Sequence, residues 1–324
     1  MRRILITGGC GFIGTNLSEY LLRSGDYQLT LFDNFSNAVY DAELSRRNGS
    51  SIRVIRGDIR DERACFDAVA RQDAVVHLAA FTRVPDSLDN PVECYRANIQ
   101  GIIHLLEACK KQDISRFVFA SSNAAVGSCM SAVNEQMAAT PKSPYGASKM
   151  AGEALCSAYW HSFGIPTVAL RFSNVYGPHC QRKPSVVAKF LRTMLEGDSL
   201  TIFGDGSQTR DFVHVKDVCQ AIELCLSPAS RTRVEGEVFQ VGTGVETSIL
   251  ELANILASVT NLQPNIRFEP PRAGDIPRNR SDITKIKHIL GYTPRFDLED
   301  GVRNLYKWHC DKTSGAATNA LTCN

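Results

Sequence analysis

A glycine-rich run near the N-terminus constrains the fold of this chain more than any other stretch. Residues 8–14, GGCGFIG, follow a short apolar run at 3–7 and precede residues 15–24, where Leu17 and Leu21 recur at helical spacing. A strand, a glycine turn and a helix in this order form the context of a dinucleotide-binding loop. The glycines let the backbone turn tightly and approach a pyrophosphate, which sits on the N–H groups of the helix start.

A carboxylate follows the second apolar run. Residues 28–32 predict a strand, and Asp33 lies at its carboxyl end. From there the side chain can accept hydrogen bonds from both hydroxyls of an adenosine ribose, and it would repel a 2′-phosphate. This position favours a binding role over that of an ordinary turn residue. The sequence therefore predicts NAD, rather than NADP, as the cofactor.

The alternation of strand-like and helix-like stretches continues to residue 172. Further strands are predicted at residues 52–55, 74–78, 116–120 and 167–172. Strands that alternate with helices predict an α/β fold with a Rossmann-type doubly wound parallel sheet, which binds ligands at the carboxyl ends of its strands. The residues of interest at such ends are Gly8, Asp33, Asp58, Ala79 and Ser122. His77, inside a predicted strand, is expected to be a packed core histidine.

The pattern changes after residue 173. Residues 1–173 are predicted to form the NAD-binding Rossmann domain, and residues 174–311 a smaller C-terminal α/β domain. Helices in the second domain are predicted at residues 185–195, 217–226, 248–262 and 298–309. Residues 312–324 show no periodicity, which predicts a disordered tail.

Two residues of one predicted helix form a candidate catalytic pair. Pro144 suits the first helical turn, and Tyr145 and Lys149, four positions apart, then share one face. An ammonium beside a phenol favours the phenolate and lowers the pKa of the tyrosine, which could then take a proton from a hydroxyl. The spacing alone is a weak signal and favours a surface Tyr and Lys that meet by chance. Its occurrence beside the strand-end residues favours catalysis.

Composition argues against several classes of function. The net charge is +2, from 36 basic and 34 acidic residues without a basic stripe, which argues against nucleic acid and anionic membrane surfaces as partners. No apolar run is long enough to span a bilayer, and the N-terminus does not resemble a signal peptide. The 11 cysteines show no metal-ligand spacing, so they predict small buried residues in a reducing cytoplasm and no metal site. A reactive thiol at Cys10 is a less favoured alternative.

Together these stretches resemble the extended short-chain dehydrogenase/reductase family, and within it the UDP-glucose 4-epimerase-like, NAD-dependent nucleotide-sugar epimerases. The resemblance covers about residues 3–309. The motifs that carry it are TGGCGFIG at 7–14, DNF at 33–35, GDI at 57–59, HLAA at 77–80, SS at 121–122, YGASK at 145–149, NVYGP at 174–178, GDGSQTRDF at 204–212 and RAGD at 272–275.

The resemblance implies a role for each matching residue. Tyr145 would be the base at the sugar hydroxyl, Lys149 would bind the nicotinamide ribose, and Ser122 would share the hydroxyl proton. The residues implied in binding NAD are Gly8, Gly11, Phe12, Ile13, Gly14, Asp33, Asn34, Asp58, Ile59, Leu78, Ala79, Ala80, Asn98, Tyr145 and Lys149. The residues implied in binding a UDP-sugar substrate are Ser122, Asn123, Arg83, Asn174, Val187, Arg210, Arg272, Asp275 and Asn279.

The implied reaction is NAD-dependent epimerisation at C4 of a UDP-hexose through a transient 4-keto sugar. Related 4,6-dehydratases usually carry an Asp-Glu pair directly after the catalytic Ser or Thr, but Asn123 and Ala124 stand here. Without those two carboxyl groups, water elimination lacks its acid and base. One alternative is a nucleotide-sugar oxidoreductase with exchangeable NAD(P). A non-catalytic dinucleotide sensor is disfavoured because Tyr145, Lys149 and Ser122 are all present.

The resemblance leaves the sugar and the oligomeric state open. Arg83, with Arg182 and Lys183, suggests an acidic sugar such as UDP-glucuronate, although a solvent-facing arginine is an equally good interpretation. Asn279 is smaller than the aromatic residue often found in epimerases restricted to unmodified hexoses, which suggests some tolerance of UDP-GlcNAc. A homodimer is implied by the family. Helices at 98–110 and 145–163 would then pair between subunits, or else they only cover the sheet.

Overall fold

A parallel sheet of seven strands forms the centre of the molecule. The computed structural model describes residues 1–40, 51–127, 131–180, 185–271 and 276–320. The strands of the central sheet are β1 (Arg2–Thr7), β2 (Tyr27–Asp33), β3 (Ile52–Arg56), β4 (Ala74–His77), β5 (Arg116–Ser122), β6 (Thr167–Phe172) and β11 (Glu237–Val241). Their order is β11-β6-β5-β4-β1-β2-β3, with every neighbouring pair parallel. The predicted Rossmann-type fold is confirmed.

Helices cover both faces of this sheet. The α-helices of the described residues are α1 (Phe12–Leu22), α2 (Glu62–Val69), α3 (Val84–Asp89), α4 (Pro91–Tyr95), α5 (Gly101–Lys110), α6 (Pro144–Phe163), α7 (Val186–Glu196), α8 (Val215–Leu226), α9 (Arg231–Val234), α10 (Ile249–Thr260), α11 (Thr284–Leu290) and α12 (Leu298–Ala320). Successive β1 side chains point to opposite faces, so Ile4 and Ile6 pack with α1 and α8, whereas Leu5 packs with α2 and α5. This alternation produces one core on each side of the sheet.

A third core lies in the C-terminal half. Helices α7, α10 and α12 pack around strand β8 (Ser199–Phe203), which pairs with β13 (Asn265–Glu269). Two further pairs are β7 (Asn174–Tyr176) with β10 (Phe212–His214), and β9 (Thr209–Arg210) with β12 (Thr247–Ser248). Strand β11 comes from the same half but completes the central sheet. The predicted boundary at residue 173 therefore does not separate the sheet from the rest of the chain.

The last helix is longer than the sequence predicted. Helix α12 begins at Leu298, as expected, but continues to Ala320, through most of the segment predicted to be a disordered tail. Its buried anchors, Val302 and Leu305, lie in the first half of the helix. Once a helix is nucleated, each further residue adds a hydrogen bond without needing a buried side chain. A prediction that relies on core side chains therefore underestimates the length of such a helix.

Helix α6 approaches strand β5 closely at a glycine. A Cβ atom added at Gly152 would overlap the aromatic ring of Phe119, which is fully buried under the helix. The helix carries Tyr145 and Lys149, and β5 ends at Ser122. The distance between helix and strand at this point therefore sets the separation of the three candidate catalytic side chains.

Substitution of Gly152 tests this close approach. Helix propensity alone predicts that Gly152→Ala stabilises the protein by roughly 0.5–1 kcal/mol. Because the added methyl group meets the Phe119 ring, we expect the opposite sign, a loss of about 1–3 kcal/mol in the free energy of unfolding. Urea denaturation followed by circular dichroism measures the difference. The matched control is Ala154→Gly on the exposed side of α6, expected to cost about 1 kcal/mol. A stabilised Gly152→Ala protein would contradict the proposed packing.

Candidate active site

The glycine loop is held in a shape that side chains would disrupt. Gly8 has a positive φ of 67°, and a Cβ atom there would lie 2.7 Å from the backbone nitrogen of Ala79. A Cβ atom at Gly14 would overlap the carbonyl oxygen of Gly8. Gly11 caps the N-terminus of α1, whose first turn begins with Phe12 and Ile13. The N–H groups of that turn have no helical carbonyl to bind, so they can hold an anionic group.

Asp33 lies beside this loop at the end of β2. Its Oδ2 accepts a hydrogen bond from the Cys10 N–H at 3.0 Å, and its Oδ1 accepts one from the Phe35 N–H at 2.7 Å. A carboxylate offers about four acceptor positions, so about two remain for a diol. Cys10 is fully buried, and burial together with the Asp33 charge raises the pKa of its thiol to about 12. A reactive Cys10 thiol is therefore not supported.

Asp58 differs from Asp33 because its carboxylate is already engaged. It accepts three hydrogen bonds from Arg60, through its N–H, Nε and Nη2 atoms, and one from the amide of Asn34 at 3.0 Å. These bonds hold the pKa of Asp58 well below its usual range. Arg60, which the sequence analysis overlooked although it lies two positions away, therefore competes with the predicted contact between Asp58 and adenine.

The segment after β4 is fixed to β1. Thr7 binds the N–H groups of Leu78 and Ala79, through its carbonyl oxygen at 3.0 Å and its hydroxyl at 3.3 Å. The same hydroxyl contacts His77 Nδ1 at 2.7 Å. His77 is 1% exposed, and burial lowers its pKa to about 3, which confirms its prediction as a core histidine. Ala80 continues this segment, while Ile59, also buried, packs on Gly101 of α5.

The candidate catalytic side chains converge where α6 crosses β5. Ser143 caps α6 by accepting the Gly146 N–H at 3.1 Å, and Pro144 occupies the first turn, as predicted. Lys149 is 4% exposed and donates to the carbonyl oxygen of Ala120 on β5 at 2.8 Å. Its Nζ lies 5.8 Å from the ring centroid of Tyr145. The Ser122 hydroxyl interacts with the Tyr145 side chain and also caps the short turn at Asn123–Ala125.

The pKa of Tyr145 does not shift in the predicted direction. Burial raises the pKa of Tyr145 to about 12, and the Ser122 hydroxyl only partly opposes this effect. Burial also lowers the pKa of Lys149 to about 8. In the protein chain by itself the pKa of Tyr145 is therefore raised, not lowered as predicted, because desolvation is the largest effect on the phenol. Periodicity in a sequence does not report desolvation.

Asn98 acts as a bridge between backbone segments. It lies in a π-helical turn, Arg96–Gln100, which precedes α5 and overlaps the start of the helix predicted at 98–110. Its Oδ1 accepts the Phe81 N–H at 2.7 Å, and its Nδ2 donates to Ser148 Oγ at 2.9 Å. The amide therefore joins the segment after β4 to α6. Ser87 makes a similar connection by accepting the Tyr145 N–H at 3.2 Å. Both bridges depend on contacts distant in sequence, and sequence analysis missed them.

Asn123 and Asn279 meet next to Ser122. The Asn123 amide is 3% exposed and donates to Asn279 Oδ1 at 3.0 Å and to Ser281 Oγ at 2.9 Å. Ser281 Oγ lies 2.6 Å from Ser173 Oγ, and the Ser281 N–H donates to Asp211 Oδ2 at 3.2 Å. The structure thus brings two predicted substrate residues together at the catalytic end of β5. Position 123 supplies a neutral amide there.

The other predicted substrate residues do not gather at one place in the structure. Arg210 donates to the carbonyl oxygen of Ile276 at 2.6 Å, and Asn174 Nδ2 donates to the Asp211 carbonyl at 3.4 Å. The Val187 side chain is buried in the third core, which leaves only its backbone for a ligand. The remaining predicted residues, Arg272 and Asp275, lie outside the described part of the chain, as do Arg182 and Lys183.

Arg83, which directly precedes α3, is half exposed and forms an ion pair with Asp86 of that helix at 3.1 Å. Within the described residues, no group of three or more His, Cys, Asp or Glu side chains is arranged to bind a metal ion. The described helices also include none that is both long and apolar enough to cross a membrane.

Comparison with known proteins assigns the chain to a family. Residues 4–242 match the model of the NAD dependent epimerase/dehydratase family. The chain belongs to this family. It is 34% identical to a UDP-glucose 4-epimerase of Mycolicibacterium smegmatis, over 96% of this chain and 99% of the relative. It is also 36% identical to a dTDP-glucose 4,6-dehydratase of Streptomyces niveus, over 95% and 93% of the two chains.

Solved structures give the same assignment. A UDP-N-acetylglucosamine 4-epimerase from Methanobrevibacter ruminantium, in complex with UDP-N-acetylmuramic acid, has a TM-score of 0.88 and 30% identity, with 96% and 99% of the chains covered. A Bacillus cereus UDP-glucuronic acid 4-epimerase, in complex with UDP-glucuronic acid and NAD, has a TM-score of 0.87 and 32% identity, covering 94% and 98%. The protein is an extended short-chain dehydrogenase/reductase of the UDP-glucose 4-epimerase-like type, as its motifs predicted.

NAD is the cofactor of this epimerase/dehydratase family member, and the residues present fit it. The N-terminus of α1 offers N–H groups to a pyrophosphate, and Asp33 retains acceptor positions for the adenosine ribose. Lys149, which binds the Ala120 carbonyl near the carboxyl end of β5, would bind the nicotinamide ribose. These roles remain predictions for the individual residues.

Replacement of Asp33 tests the assigned ribose contact. We expect Asp33→Ser to shift the preference from NAD towards NADP by about tenfold or more, because charged hydrogen bonds and the repulsion of a 2′-phosphate are both lost. Purified protein would be incubated with equal amounts of NAD and NADP, and the bound dinucleotides released and quantified by chromatography. Asp61→Ser is the matched control, since Asp61 only caps α2 and serine also serves as a cap. An unchanged preference would remove Asp33 from the ribose site.

Proposed function

We propose that the protein interconverts the C4 epimers of a UDP-hexose through a transient 4-keto sugar, with NAD as its cofactor. The observation that carries this proposal is the convergence of Tyr145, Ser122 and Lys149 at the end of β5, next to a neutral amide at position 123. Epimerases acting on UDP-sugars among the relatives support it, but a dehydratase is also among them.

The chain's own side chains supply proton transfer and positioning. Bound NAD supplies a hydride acceptor, and later a hydride donor, for the sugar C4 carbon. Tyr145, in its phenolate form, accepts the proton of the C4 hydroxyl, and the Ser122 hydroxyl donates a hydrogen bond to the oxygen that carries the negative charge. Lys149 opposes the charge of the phenolate while it is in its ammonium form. The Ala120 carbonyl and the cap at Ser143 hold Lys149 and the start of α6 in place.

Position 123 favours epimerisation over elimination of water. A dehydratase needs an acid and a base to remove a hydroxyl and the proton beside it. Asn123 and Ala124 offer an amide and a methyl group instead. The Asn123 amide is also committed to Asn279 and Ser281, in a place where a carboxylate would lack the N–H donors that these contacts use. The same contacts argue against the uronate-decarboxylating reaction, for which relatives usually keep an acid here.

We further propose that the site also accepts a UDP-N-acetylhexosamine, because of the side chain at position 279. Asn279 reaches the catalytic end of β5, and its side chain leaves more space than an aromatic residue would. The Methanobrevibacter neighbour is named as a UDP-N-acetylglucosamine 4-epimerase. Arg83 gives less support to an acidic sugar, because Asp86 already balances its charge.

The protein is further proposed to work in the cytoplasm as a homodimer. Six exposed apolar side chains lie on α3, α4 and α6, which contact one another beside the active site. They are Val84, Leu88, Val92, Tyr95, Met150 and Phe163. A second copy of the chain would cover this surface, with α6 in the interface, as the resemblance implies.

A single incubation tests the reaction. Purified protein without added cofactor should convert UDP-GlcNAc into a mixture with its C4 epimer, followed by proton NMR alongside UDP-glucose and UDP-glucuronate. Tyr145→Phe should lower the rate by about 10²–10⁴-fold because it removes the proton acceptor.

The matched control is Tyr159→Phe on the same helix, whose hydroxyl binds Glu107 far from the site, and it should retain the activity. Turnover that requires added NAD(P)H and yields a net oxidised or reduced sugar would instead support the oxidoreductase alternative. No conversion of any of the three substrates by protein with bound NAD would reject the proposal.

Substitution at Asn279 tests the sugar pocket. Asn279→Tyr should lower the ratio of UDP-GlcNAc to UDP-glucose activity by about 10–200-fold, because the ring fills the space for the N-acetyl group. Competition assays with both substrates measure this ratio. Arg83→Ser serves as the comparison, and it should leave the ratio unchanged while reporting on UDP-glucuronate. If Asn279→Tyr leaves the ratio unaltered, Asn279 does not line the sugar pocket.

A further inference from the structure

A buried carboxylate lies one helical turn beyond Lys149. Glu153 is 7% exposed and follows Tyr145 and Lys149 at the next position on the same face of α6. It forms a two-bond ion pair with Arg171 of β6, with Nε to Oε1 at 2.8 Å and Nη2 to Oε2 at 2.7 Å. Ser121 of β5 donates to its Oε1 at 2.5 Å. Nothing in the reaction described above uses this pair.

The contact between Glu153 and Ser121 is the third of three contacts that fix the position of α6 along β5. Three consecutive residues of β5 each contact a different turn of the helix. Ser122 interacts with Tyr145, Ala120 accepts from Lys149, and Ser121 donates to Glu153. A rotation or sliding of α6 would break all three contacts together. Because Glu153 is also bound to β6, it is the point where the helix is attached to two neighbouring strands.

Glu153 also carries the negative charge nearest to Lys149 in sequence on α6. The titratable side chains that act on or respond to the Lys149 ammonium are Tyr145, Glu153 and Cys156 on α6, Cys94 on α4 and His77 on β4. Burial raises the pKa values of both thiols and of Tyr145, and lowers that of His77 to about 3. These four groups are neutral near pH 8. Within this set, Glu153 is then the member with a negative charge.

We propose that Glu153 is a positioning residue for the reaction, whose buried carboxylate, held by Arg171 and Ser121, fixes α6 on β5 and maintains Lys149 as an ammonium ion. The assignment rests on the proposed function, because it concerns the state of Lys149 that the reaction needs. Arg171 prevents the carboxylate from being an uncompensated charge in the core. Ser121 orients the carboxylate without adding charge.

The sign of the effect follows from electrostatics. A negative charge favours the ammonium form of a neighbouring lysine, so Glu153 raises the pKa of Lys149 against the lowering caused by burial. Removing that charge should lower the pKa of Lys149 further below about 8. Lys149 would then lose its proton, and its ability to offset a phenolate, at a lower pH than in the unmodified protein.

The experiment compares the titration of Lys149 in several variants. Protein labelled at lysine Cε is followed by carbon NMR between pH 6 and 10, and the Lys149 signal is assigned by its absence in Lys149→Arg. Glu153→Gln is the main variant, because it removes the negative charge and keeps a side chain of the same shape. Glu153→Gln combined with Arg171→Met is the second variant, in which no buried charge is left unpaired. Glu107→Gln, which removes a carboxylate that contacts the far end of α6, is the control.

We expect the Lys149 midpoint to fall by about one pH unit in Glu153→Gln, and by less in the double variant, where loss of the Arg171 charge partly offsets loss of the Glu153 charge. The alkaline limit of epimerase activity should fall with the midpoint. Glu107→Gln should change neither. An unchanged midpoint and pH profile in folded Glu153→Gln, or in the folded double variant where Glu153→Gln does not fold, would show a merely structural role even with a lower rate, and would overturn the proposal. If the unmodified protein epimerises no UDP-sugar, the proposed function fails, whereas the Lys149 midpoint still reports whether Glu153 acts on it.

Discussion

The catalytic geometry depends on one contact, the approach of helix α6 to the carboxyl end of strand β5. Gly152 permits the helix to lie directly on the Phe119 ring, and the Lys149 ammonium binds the Ala120 carbonyl at the end of the strand. This arrangement buries a charged group almost completely. The cost is visible in the pKa of Lys149, which burial lowers to about 8. The other polar contacts of the site, from Ser122 to Tyr145 and from Ser121 to Glu153, lie beside this buried ammonium.

Local patterns in the sequence predicted much of the fold and part of the site. The glycine loop, Asp33 and the Tyr145–Lys149 pair are recognisable because their chemistry depends on spacing within one strand, turn or helix. Asn98, Ser87 and the Glu153–Arg171 pair depend instead on side chains that are distant in sequence, so their partners appear only in the folded chain. The directions of the pKa shifts were beyond prediction for the same reason, since desolvation is a property of packing.

The two halves of the molecule meet at the active site through one segment of backbone. Residues 276–282 contact β9 at one end, where Arg210 and Thr209 bind the carbonyl oxygens of Ile276 and Pro277. At the other end, Asn279 and Ser281 bind Asn123, directly after the catalytic serine. Arg210 and Asn279, both predicted to bind the UDP-sugar, are therefore connected by a few peptide units. We therefore expect a substitution that alters substrate binding at one end of this segment to alter binding at the other end as well.

Strand β11 gives the fold a particular order of assembly. It comes from the C-terminal half, yet it pairs with β6 at the edge of the central sheet over Glu237–Val241. During synthesis, the first 172 residues can form six of the strands, but β6 then presents an open row of backbone donors and acceptors. β6 gains its partner on that side only when residue 241 has left the ribosome, and β11 then becomes the edge strand of the sheet. The nascent chain therefore carries a β6 strand without this partner through the synthesis of about seventy residues, which is the interval in which chaperones would matter most for it.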